Sequence, residues 1–439
     1  MRTTPESRRC EESLLVTRLD EVLAGGVSSP VRAGRRVGGE PFVCVRAEGP
    51  YAYDDAGRRY VDYVMAYGPL LFGHTPPFLA DLDVLAGRGV VYGSTHPDEL
   101  ALAERIRAHL PSMHKLRFAT TGSEAVQSAL RVARAFTGRD AILKFAGNYH
   151  GHFDLALQDA GASAETVDGA RSGIPRAVVA DLAVARYNDL DDVDRQLART
   201  SGRLAAILVE PVCANMGLVE TLPGFLEGLR ERADRLGALL IFDEIITWPR
   251  LGLGGAQARA RVVPDLTTVG KVMGGGFPIA AFGGRADVMA VLAPDGPCFT
   301  GGTHAGMPFA VALALRVLEH LETRPELYVA MERRARVIAE ATRTTLRALE
   351  LDYAVVQLES IVDFKFRPGP PTRSYDDQGR DDQLAYAAFY HAMRERGILL
   401  PPSHNEVMFV STAHGDAEVE LTVVAIDASL RTLRARGVI

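Results

Sequence analysis

The chain has 439 residues and a net charge of -6, and it is 47% hydrophobic and 24% charged. This composition is typical of a soluble globular protein with a sizeable core, long enough for two domains or for one large domain with a smaller cap. The acidic balance gives no reason to expect nucleic acid or an anionic membrane as a partner, and no apolar run approaches the roughly 20 residues of a membrane helix.

The N-terminal stretch differs from the rest of the chain because it has no long periodic segment. Residues 1–55, which include "GGVSSPVRAG", are therefore predicted to form an arm over the main body. The first twenty residues mix arginines with acidic residues, so they lack the apolar core of a signal peptide and are too acidic for a transit peptide. We expect a cytoplasmic protein.

Residues 56–308 are predicted to form a large domain with a mostly parallel α/β sheet, because short apolar runs alternate with helical patterns between about residues 115 and 285. One of the helices, "PGFLEGLRERADRLG", has its apolar residues on one face, and Gly237 stands at its C-cap position. The buried strands predicted in this region are 141–145, 205–209, 238–242 and 266–269.

Residues 309–439 have a different texture and are predicted to form a smaller α+β domain. Long helical patterns at 309–322, 329–349 and 381–396 flank a turn-rich segment, and a final helix closes the chain. There are no internal repeats that would indicate a solenoid.

Several polar residues follow the predicted strands of the large domain. Asp243, Glu210, Tyr149 and Lys271 each come shortly after one of them. Since ligands of open α/β sheets bind at the carboxyl ends of the strands, these side chains are expected to converge at one edge of the sheet. For Tyr149, packing in the core is the alternative to covering a planar ligand.

The segment "FATTGSEAVQSALRVARAFTG" predicts a helix that begins close to Gly122 and Ser123. A helix N-terminus binds phosphate through unpaired N–H groups and the positive end of the helix dipole. A plain N-capped helix with no ligand is the alternative.

Lysine is rare in this chain: among 49 basic residues the lysines are Lys115, Lys144, Lys271 and Lys365. Arginine cannot form an imine, so a lysine retained in the glycine-rich stretch "TTVGKVMGGGFP" indicates chemistry at Lys271. This stretch does not match a phosphate-binding loop, which needs a serine or threonine after the lysine where Val272 stands. The other three lysines are expected to be solvated.

Metal binding is not predicted. The cysteines are scattered without the spacing of a zinc site, and "HGH" at 150–152 has no nearby ligand partners. We expect reduced and mostly buried thiols at Cys10, Cys44, Cys213 and Cys298.

A phosphate site, an aromatic ring, a carboxylate and an amine together suit pyridoxal 5'-phosphate (PLP). This cofactor needs a lysine for its Schiff base, an acid at its pyridine nitrogen and a cradle for its phosphate. Lys271 and Asp243 are therefore predicted to be the catalytic residues, with Lys271 moving protons once substrate displaces it.

The sequence as a whole resembles the class III aminotransferases, PLP-dependent enzymes of fold type I, and among them most closely the glutamate-1-semialdehyde aminomutases. The resemblance covers nearly the whole chain, from "AGGVSSPVRAG" to "NEVMFVSTAHG", and includes "TTGSEAVQSALRVAR", "FAGNYHGHFD" and "PDLTTVGKVMGGGFP". It implies that Lys271 carries the Schiff base, Asp243 meets the pyridine nitrogen, Tyr149 stacks on the ring and Asn215 lies near the phenolic oxygen. Gly122 and Ser123 would hold the phosphate.

The resemblance also implies a homodimer with shared active sites, in which Thr303 reaches the phosphate in the neighbouring subunit. In the aminomutases the arginine of "SPVR", here Arg32, binds the substrate carboxylate, and the glutamate of the C-terminal domain falls on Glu406. A small-molecule amino donor and a carbonyl acceptor are the expected partners.

The chain departs from the family pattern around the pocket. "IITWPR" places Trp248 and Pro249 where Gly and Phe are usual, Met307 replaces an asparagine, and Tyr67 replaces a tryptophan. Trp248 and Tyr67 are therefore predicted to line the substrate pocket. Segment 160–175 matches the aminomutase gating loop in length but not in sequence.

These departures favour a changed substrate. The main hypothesis is an aminotransferase that takes its amino group from a donor, L-glutamate in the simplest case, and passes it to a carbonyl acceptor in a specialised biosynthetic pathway. The alternatives are a glutamate-1-semialdehyde 2,1-aminomutase that forms 5-aminolevulinate, other imine chemistry such as racemisation, and a binding protein that has lost catalysis.

Overall fold

The computed structural model describes residues 15–80, 82–161, 172–200 and 202–439. Residues 1–14 of the predicted arm and residues 162–171 of the predicted gating segment lie outside this range. The described strands are β1 Cys44–Glu48, β2 Tyr51–Asp54, β3 Arg59–Asp62, β4 Lys115–Ala119, β5 Ala141–Phe145, β6 Leu182–Ala185, β7 Leu204–Val209, β8 Val212–Cys213, β9 Val219–Glu220, β10 Leu239–Asp243, β11 Leu266–Val269, β12 Ala280–Gly284, β13 Tyr353–Leu358, β14 Ile361–Pro368, β15 Ile398–Leu399 and β16 Met408–Phe409.

Helices pack around these strands, and residues 15–22 belong to the first of them, α1. The others are α2 Leu82–Ala86, α3 Pro97–His109, α4 Gly122–Thr137, α5 Leu190–Arg199, α6 Phe225–Leu236, α7 Gly255–Ala260, α8 Ala286–Met289, α9 Pro308–Thr323, α10 Glu326–Ala348, α11 Tyr375–Gln378, α12 Gln383–Glu395 and α13 Asp416–Ala435.

A seven-stranded sheet forms the centre of the molecule, in the order β4-β12-β11-β10-β7-β5-β6. The strands run parallel except β12, which pairs antiparallel with both of its neighbours. Strand β7 is buried along its whole length, as expected where both faces of a parallel sheet are covered. The mostly parallel α/β sheet and its four predicted strands are confirmed.

Two apolar clusters cover the faces of this sheet. The face of α4 that carries Ala125, Ala129 and Ala133 packs into one cluster, and Leu229 of α6 packs into the other. Helix α6 ends at Gly237 with a left-handed φ of 60°, so its predicted C-cap is also confirmed.

The C-terminal region has its own three-stranded sheet, β13-β14-β16, packed with α10, α12 and α13. Strands β1, β2 and β3 form a separate sheet that is extended by β15 from the C-terminal region. The division of the chain at residues 55 and 308 stays a prediction. Among the helices that the structure describes, none combines the length and the apolarity needed to cross a membrane.

Two lysines expected to be solvated are buried instead. Lys144 donates to the carbonyl oxygens of Ala156 and Gln158, both at 2.7 Å, and burial lowers its pKa to about 7. Lys365 lies 2.9 Å from Asp363 in the C-terminal region. The expectation was wrong for both because lysine can enter a core when oxygen acceptors surround its amine.

Candidate functional site

A cavity of about 170 Å³ opens at the carboxyl ends of β5, β7, β10 and β11. The parallel sheet brings these strand ends to one edge, as the sequence predicts. Six of the predicted site residues line it: Gly122, Ser123, Tyr149, Asn215, Asp243 and Lys271.

Asp243 is the last residue of β10, and each of its carboxylate oxygens is held. Oδ1 accepts from the backbone N–H of Ile245 at 3.1 Å and from the hydroxyl of Thr268 at 3.2 Å, while Oδ2 accepts from Nδ1 of His150 at 2.7 Å. His150 is buried, and burial lowers its pKa despite the opposing effect of Asp243. The neutral imidazole therefore carries its proton on Nδ1, and within the described part of the chain its Nε2 has no hydrogen-bond partner.

Glu210 organises the side of the cavity that contains Asn215 and Tyr149. Its carboxyl group accepts from Nδ2 of Asn215 at 2.9 and 3.0 Å and from the backbone N–H groups of Tyr149 at 2.6 Å and Ala214 at 3.3 Å. Burial, followed by the charge of Asp243, raises the pKa of Glu210 to about 8 while these hydrogen bonds oppose the rise. Glu210 thus fixes the two residues that are predicted to contact the cofactor ring.

The first turn of α4, where the sequence predicts a phosphate cradle, forms one corner of the cavity. The hydroxyl of Thr121 accepts from the backbone N–H of Glu124 at 3.2 Å and caps the helix, which leaves the N–H groups of Gly122 and Ser123 without an intrahelical partner. A Cβ added to Gly151 would lie 2.3 Å from the Ser123 hydroxyl. The cradle therefore requires glycine at position 151.

Lys271 lies just beyond β11, with its backbone in the left-handed region at φ 46°. Burial lowers the pKa of its amine, and Glu406, Glu210 and Asp243 oppose this effect. A lowered pKa leaves more of the amine neutral and nucleophilic at pH 7 than in an exposed lysine.

The predicted substrate residues Arg32, Tyr67 and Glu406 are linked by their electrostatic effects. Burial and the nearby Glu406 raise the pKa of the Tyr67 phenol, while Arg32 lowers it. Burial raises the pKa of Glu406 to about 7, against the opposing charge of Lys271. Glu406 is thus within electrostatic reach of both Tyr67 and Lys271, and Arg32 is within reach of Tyr67.

Other predicted residues lie elsewhere. Thr303 is exposed and does not line this cavity. Trp248 is fully buried in an apolar cluster that Met307 also contacts, and its indole N–H donates to the carbonyl oxygen of Leu253 at 2.7 Å. The structure thus places Trp248 in the core and does not bring it to the cavity wall.

Among the residues that line the cavity, His150 is a polar one whose contact with Asp243 the sequence analysis did not predict. His150 was considered only as a metal ligand within "HGH", yet it holds Asp243. Its position directly after Tyr149, shortly beyond the end of β5, was the available signal, since residues after a strand share its carboxyl edge.

The sheet and its cavity define the class of protein: this is an enzyme of fold type I that depends on PLP. A family model described as "Aminotransferase class-III" matches residues 34–414. The chain therefore belongs to the class III aminotransferase family.

Its relatives fit this assignment. A glutamate-1-semialdehyde 2,1-aminomutase of Roseiflexus castenholzii is 44% identical over 412 residues, covering 93% of this chain and 94% of the relative. A transaminase structure with PLP bound has a TM-score of 0.87 at 28% identity and covers 100% of both chains. A glutamate-1-semialdehyde aminomutase of Pseudomonas aeruginosa PAO1 in complex with PMP has a TM-score of 0.85 at 26% identity, covering 97% of this chain and 95% of the other.

Proposed function

We propose that this chain catalyses the glutamate-1-semialdehyde 2,1-aminomutase reaction, in which an amino group moves within one substrate to give 5-aminolevulinate. The observation that carries the proposal is the position of Glu406. Its carboxyl group is close enough to Lys271 for each group to shift the pKa of the other. The 44% identity with the R. castenholzii aminomutase over almost the whole chain supports the same reaction.

Glu406 counts against an α-amino acid as the amino donor. L-Glutamate carries a carboxylate on the carbon that reacts, and the ionised form of Glu406 beside Lys271 would repel it in a buried site with little screening. Glutamate 1-semialdehyde has an aldehyde at that end instead. Its one carboxylate lies at the far end of the molecule.

Arg32 is suited to bind this distal carboxylate. It belongs to the short helical turn Pro30–Ala33. Its positive charge lowers the pKa of the Tyr67 phenol, whereas Glu406 raises it. A guanidinium can hold a carboxylate through two parallel hydrogen bonds, which orients the substrate as well as binding it.

The cavity residues fit PLP, because an acid, an amine and a helix N-terminus surround one space that the glycine at 151 keeps open. When bound, PLP supplies a carbonyl for the amino group and an electron-withdrawing ring. The Asp243 carboxylate would accept a hydrogen bond from the pyridine nitrogen, and the first-turn N–H groups of Gly122 and Ser123 would hold the phosphate. Nζ of Lys271 would hold the cofactor covalently and then carry protons between the two substrate carbons.

Asn215 and Tyr149 would complete the site, because Glu210 fixes both of them at the cavity. The Tyr149 ring would cover one face of the cofactor and exclude water from it. We also propose a homodimer in which the exposed Thr303 reaches the phosphate bound by the partner subunit, as the family resemblance implies.

An aminotransferase with an external donor is the second candidate. It is favoured by Tyr67, which stands where the family has tryptophan and has a phenol whose pKa is raised by Glu406 and lowered by Arg32. A polar group there would suit a substrate other than glutamate 1-semialdehyde.

Two assays on the purified holoenzyme separate these candidates. Glutamate 1-semialdehyde alone should give 5-aminolevulinate, whereas L-glutamate alone should neither bleach the PLP absorbance band nor release 2-oxoglutarate. Stoichiometric bleaching by L-glutamate, with 2-oxoglutarate formed and no 5-aminolevulinate from the semialdehyde, would replace the aminomutase by the aminotransferase.

Lys271→Ala is the control for both assays. It should abolish turnover and covalent cofactor retention while leaving the fold intact. If this variant keeps the biological activity of the protein, neither enzymatic candidate holds and the chain acts as a binding protein.

A further inference from the structure

Arg250 is a fully buried cation without a counter-charge: within the described ranges, no carboxylate lies at ion-pair distance from its guanidinium. Three neutral oxygens bind it instead. Nη2 donates to the carbonyl oxygen of Gly68 at 2.6 Å, and Nη1 donates to the Ser360 hydroxyl at 3.1 Å and the Val410 carbonyl at 3.3 Å. A buried charge of this kind is costly, so its retention calls for a function.

The bond to Gly68 ends a strained turn. Met65, Ala66 and Tyr67 all have positive φ, at 44°, 53° and 65°, and Gly68 follows at 115°. Residues other than glycine rarely adopt a positive φ, and such backbone conformations persist only where the surrounding structure holds them. Arg250 is hydrogen-bonded to the last residue of this turn, which also carries the predicted substrate residue Tyr67.

The same turn lies next to the side chain of Lys271. A Cβ placed on Gly68 would lie 3.5 Å from Cδ of Lys271 and 3.5 Å from Cζ of Phe409. The guanidinium of Arg250 stacks on that Phe409 ring, 4.7 Å from its centroid. Arg250, Gly68, Phe409 and Lys271 therefore form one continuous packed group.

We propose that Arg250 is a positioning residue: it holds the 65–68 turn, and with it Tyr67, against the side chain of the reactive amine Lys271. The inference rests on the proposed role of Lys271 and applies equally to an aminomutase and an aminotransferase. It assigns a reason for a buried arginine that does not line the cavity.

The charge of Arg250 contributes as well. Besides burial, the groups that act on the Lys271 amine are Glu406, Glu210 and Asp243, which raise its pKa, and Arg250, which lowers it. Burial lowers the pKa of Arg250 itself to about 9, so it remains charged at pH 7. Removing this charge should raise the pKa of Lys271. If Arg250 acted through packing alone, its replacement would leave the pKa of Lys271 unchanged.

The test compares Arg250→Met, Arg250→Gln and Arg250→Lys with wild type in the full-length protein. The pH dependence of Lys271 acetylation by acetic anhydride is measured by mass spectrometry after removal of the cofactor, and kcat and KM are measured on the holoenzyme. Arg139→Met is the matched control, because Arg139 also binds only carbonyl oxygens, those of Leu204, Leu236 and Gly237, and lies outside the cavity.

Arg250→Met and Arg250→Gln should move the acetylation midpoint of Lys271 to higher pH and lower kcat by about tenfold or more, since small displacements at a reacting centre are costly. Arg250→Lys should restore the midpoint and part of kcat. Arg139→Met should lower Tm without either change.

An unchanged midpoint and a kcat within about twofold of wild type in a folded Arg250→Gln variant would overturn the proposal. If Arg250→Met does not fold, the glutamine and lysine variants decide on the same two readouts. Since acetylation requires no substrate, failure of the aminomutase proposal would leave this result interpretable.

Discussion

Nδ1 of His150 lies 2.7 Å from Oδ2 of Asp243, so a buried neutral imidazole orients the carboxylate at the end of β10. The hydroxyl of Thr268 holds the other oxygen at 3.2 Å. Asp243 thus enters the cavity with an orientation fixed by protein groups, and this preorganisation is what an acid facing a ring nitrogen requires.

The first prediction concerns this pair. His150→Leu removes the donor to Asp243 and should lower kcat by about tenfold to a hundredfold, the cost of losing a buried hydrogen bond to a charged group. His150→Asn places an amide N–H near the position of Nδ1 and should retain most of the activity. Steady-state kinetics on both variants, each saturated with PLP, checks the difference; equal losses would show that the imidazole acts in another way.

The second prediction concerns the proposed phosphate cradle at the first turn of α4. Gly151→Ala puts a methyl group 2.3 Å from the Ser123 hydroxyl and 2.7 Å from the Ser123 Cα. We expect PLP affinity to fall by about tenfold or more, because the first turn of α4 must move. Equilibrium dialysis of the apoenzyme with PLP measures the loss.

Gly57→Ala is its control. Gly57 also has a positive φ, of 75°, but a Cβ there would have no neighbour within 4 Å. The control carries the same kind of backbone strain without the clash, so it should lower stability slightly and leave PLP affinity unchanged. Equal losses of affinity in both variants would mean that strain, not the cradle, explains the effect.

The third prediction separates a core role from a pocket role for Trp248. Trp248→Phe removes the indole hydrogen bond to Leu253 and part of the packing in a fully buried site, so it should lower the free energy of unfolding by about 2–4 kcal/mol. KM should stay within about twofold of wild type. Urea unfolding and kinetics on the same preparation test this. An altered KM with unchanged stability would support the role in the substrate pocket that the sequence predicts for Trp248.

Much of the fold was predictable because its signals are local. An unbroken apolar run predicts strand β7, and an apolar helical face followed by a glycine predicts helix α6. The meeting of Asp243 with Lys271 was also predictable, since both follow parallel strands and the carboxyl ends of such strands share one edge.

What the sequence could not supply depends on long-range packing. Lys144 enters the core because the carbonyl oxygens of Ala156 and Gln158 accept from its amine, and Lys365 because the carboxylates of Asp363 and Asp381 lie beside its amine. Trp248 lies close to Asp243 in sequence, yet its side chain turns into the cluster beneath the sheet edge. The function of His150 depends on its contact with Asp243 at the end of β10, which the sequence alone does not show.

The last prediction follows from Glu406. Burial raises its pKa from 4.5 to about 7 in the folded protein, so between these pH values the folded state binds more protons than the unfolded chain. Its contribution to stability is fully present below pH 4.5 and is lost as the pH rises through 7. Glu406→Gln lacks this titration, and the wild type should lose about 2–3 kcal/mol relative to the variant between pH 5 and 8.

Urea unfolding of both proteins at pH 5, 6, 7 and 8 measures the difference. Glu420→Gln, on the exposed side of α13, makes the same chemical change at the surface, and its offset from wild type should stay constant with pH. A constant offset for Glu406→Gln as well would mean that the Glu406 carboxyl is ionised throughout this range. The carboxyl would then face Lys271 as a permanent charge, and the repulsion that disfavours an α-carboxylate substrate would operate at every pH instead of growing through neutrality.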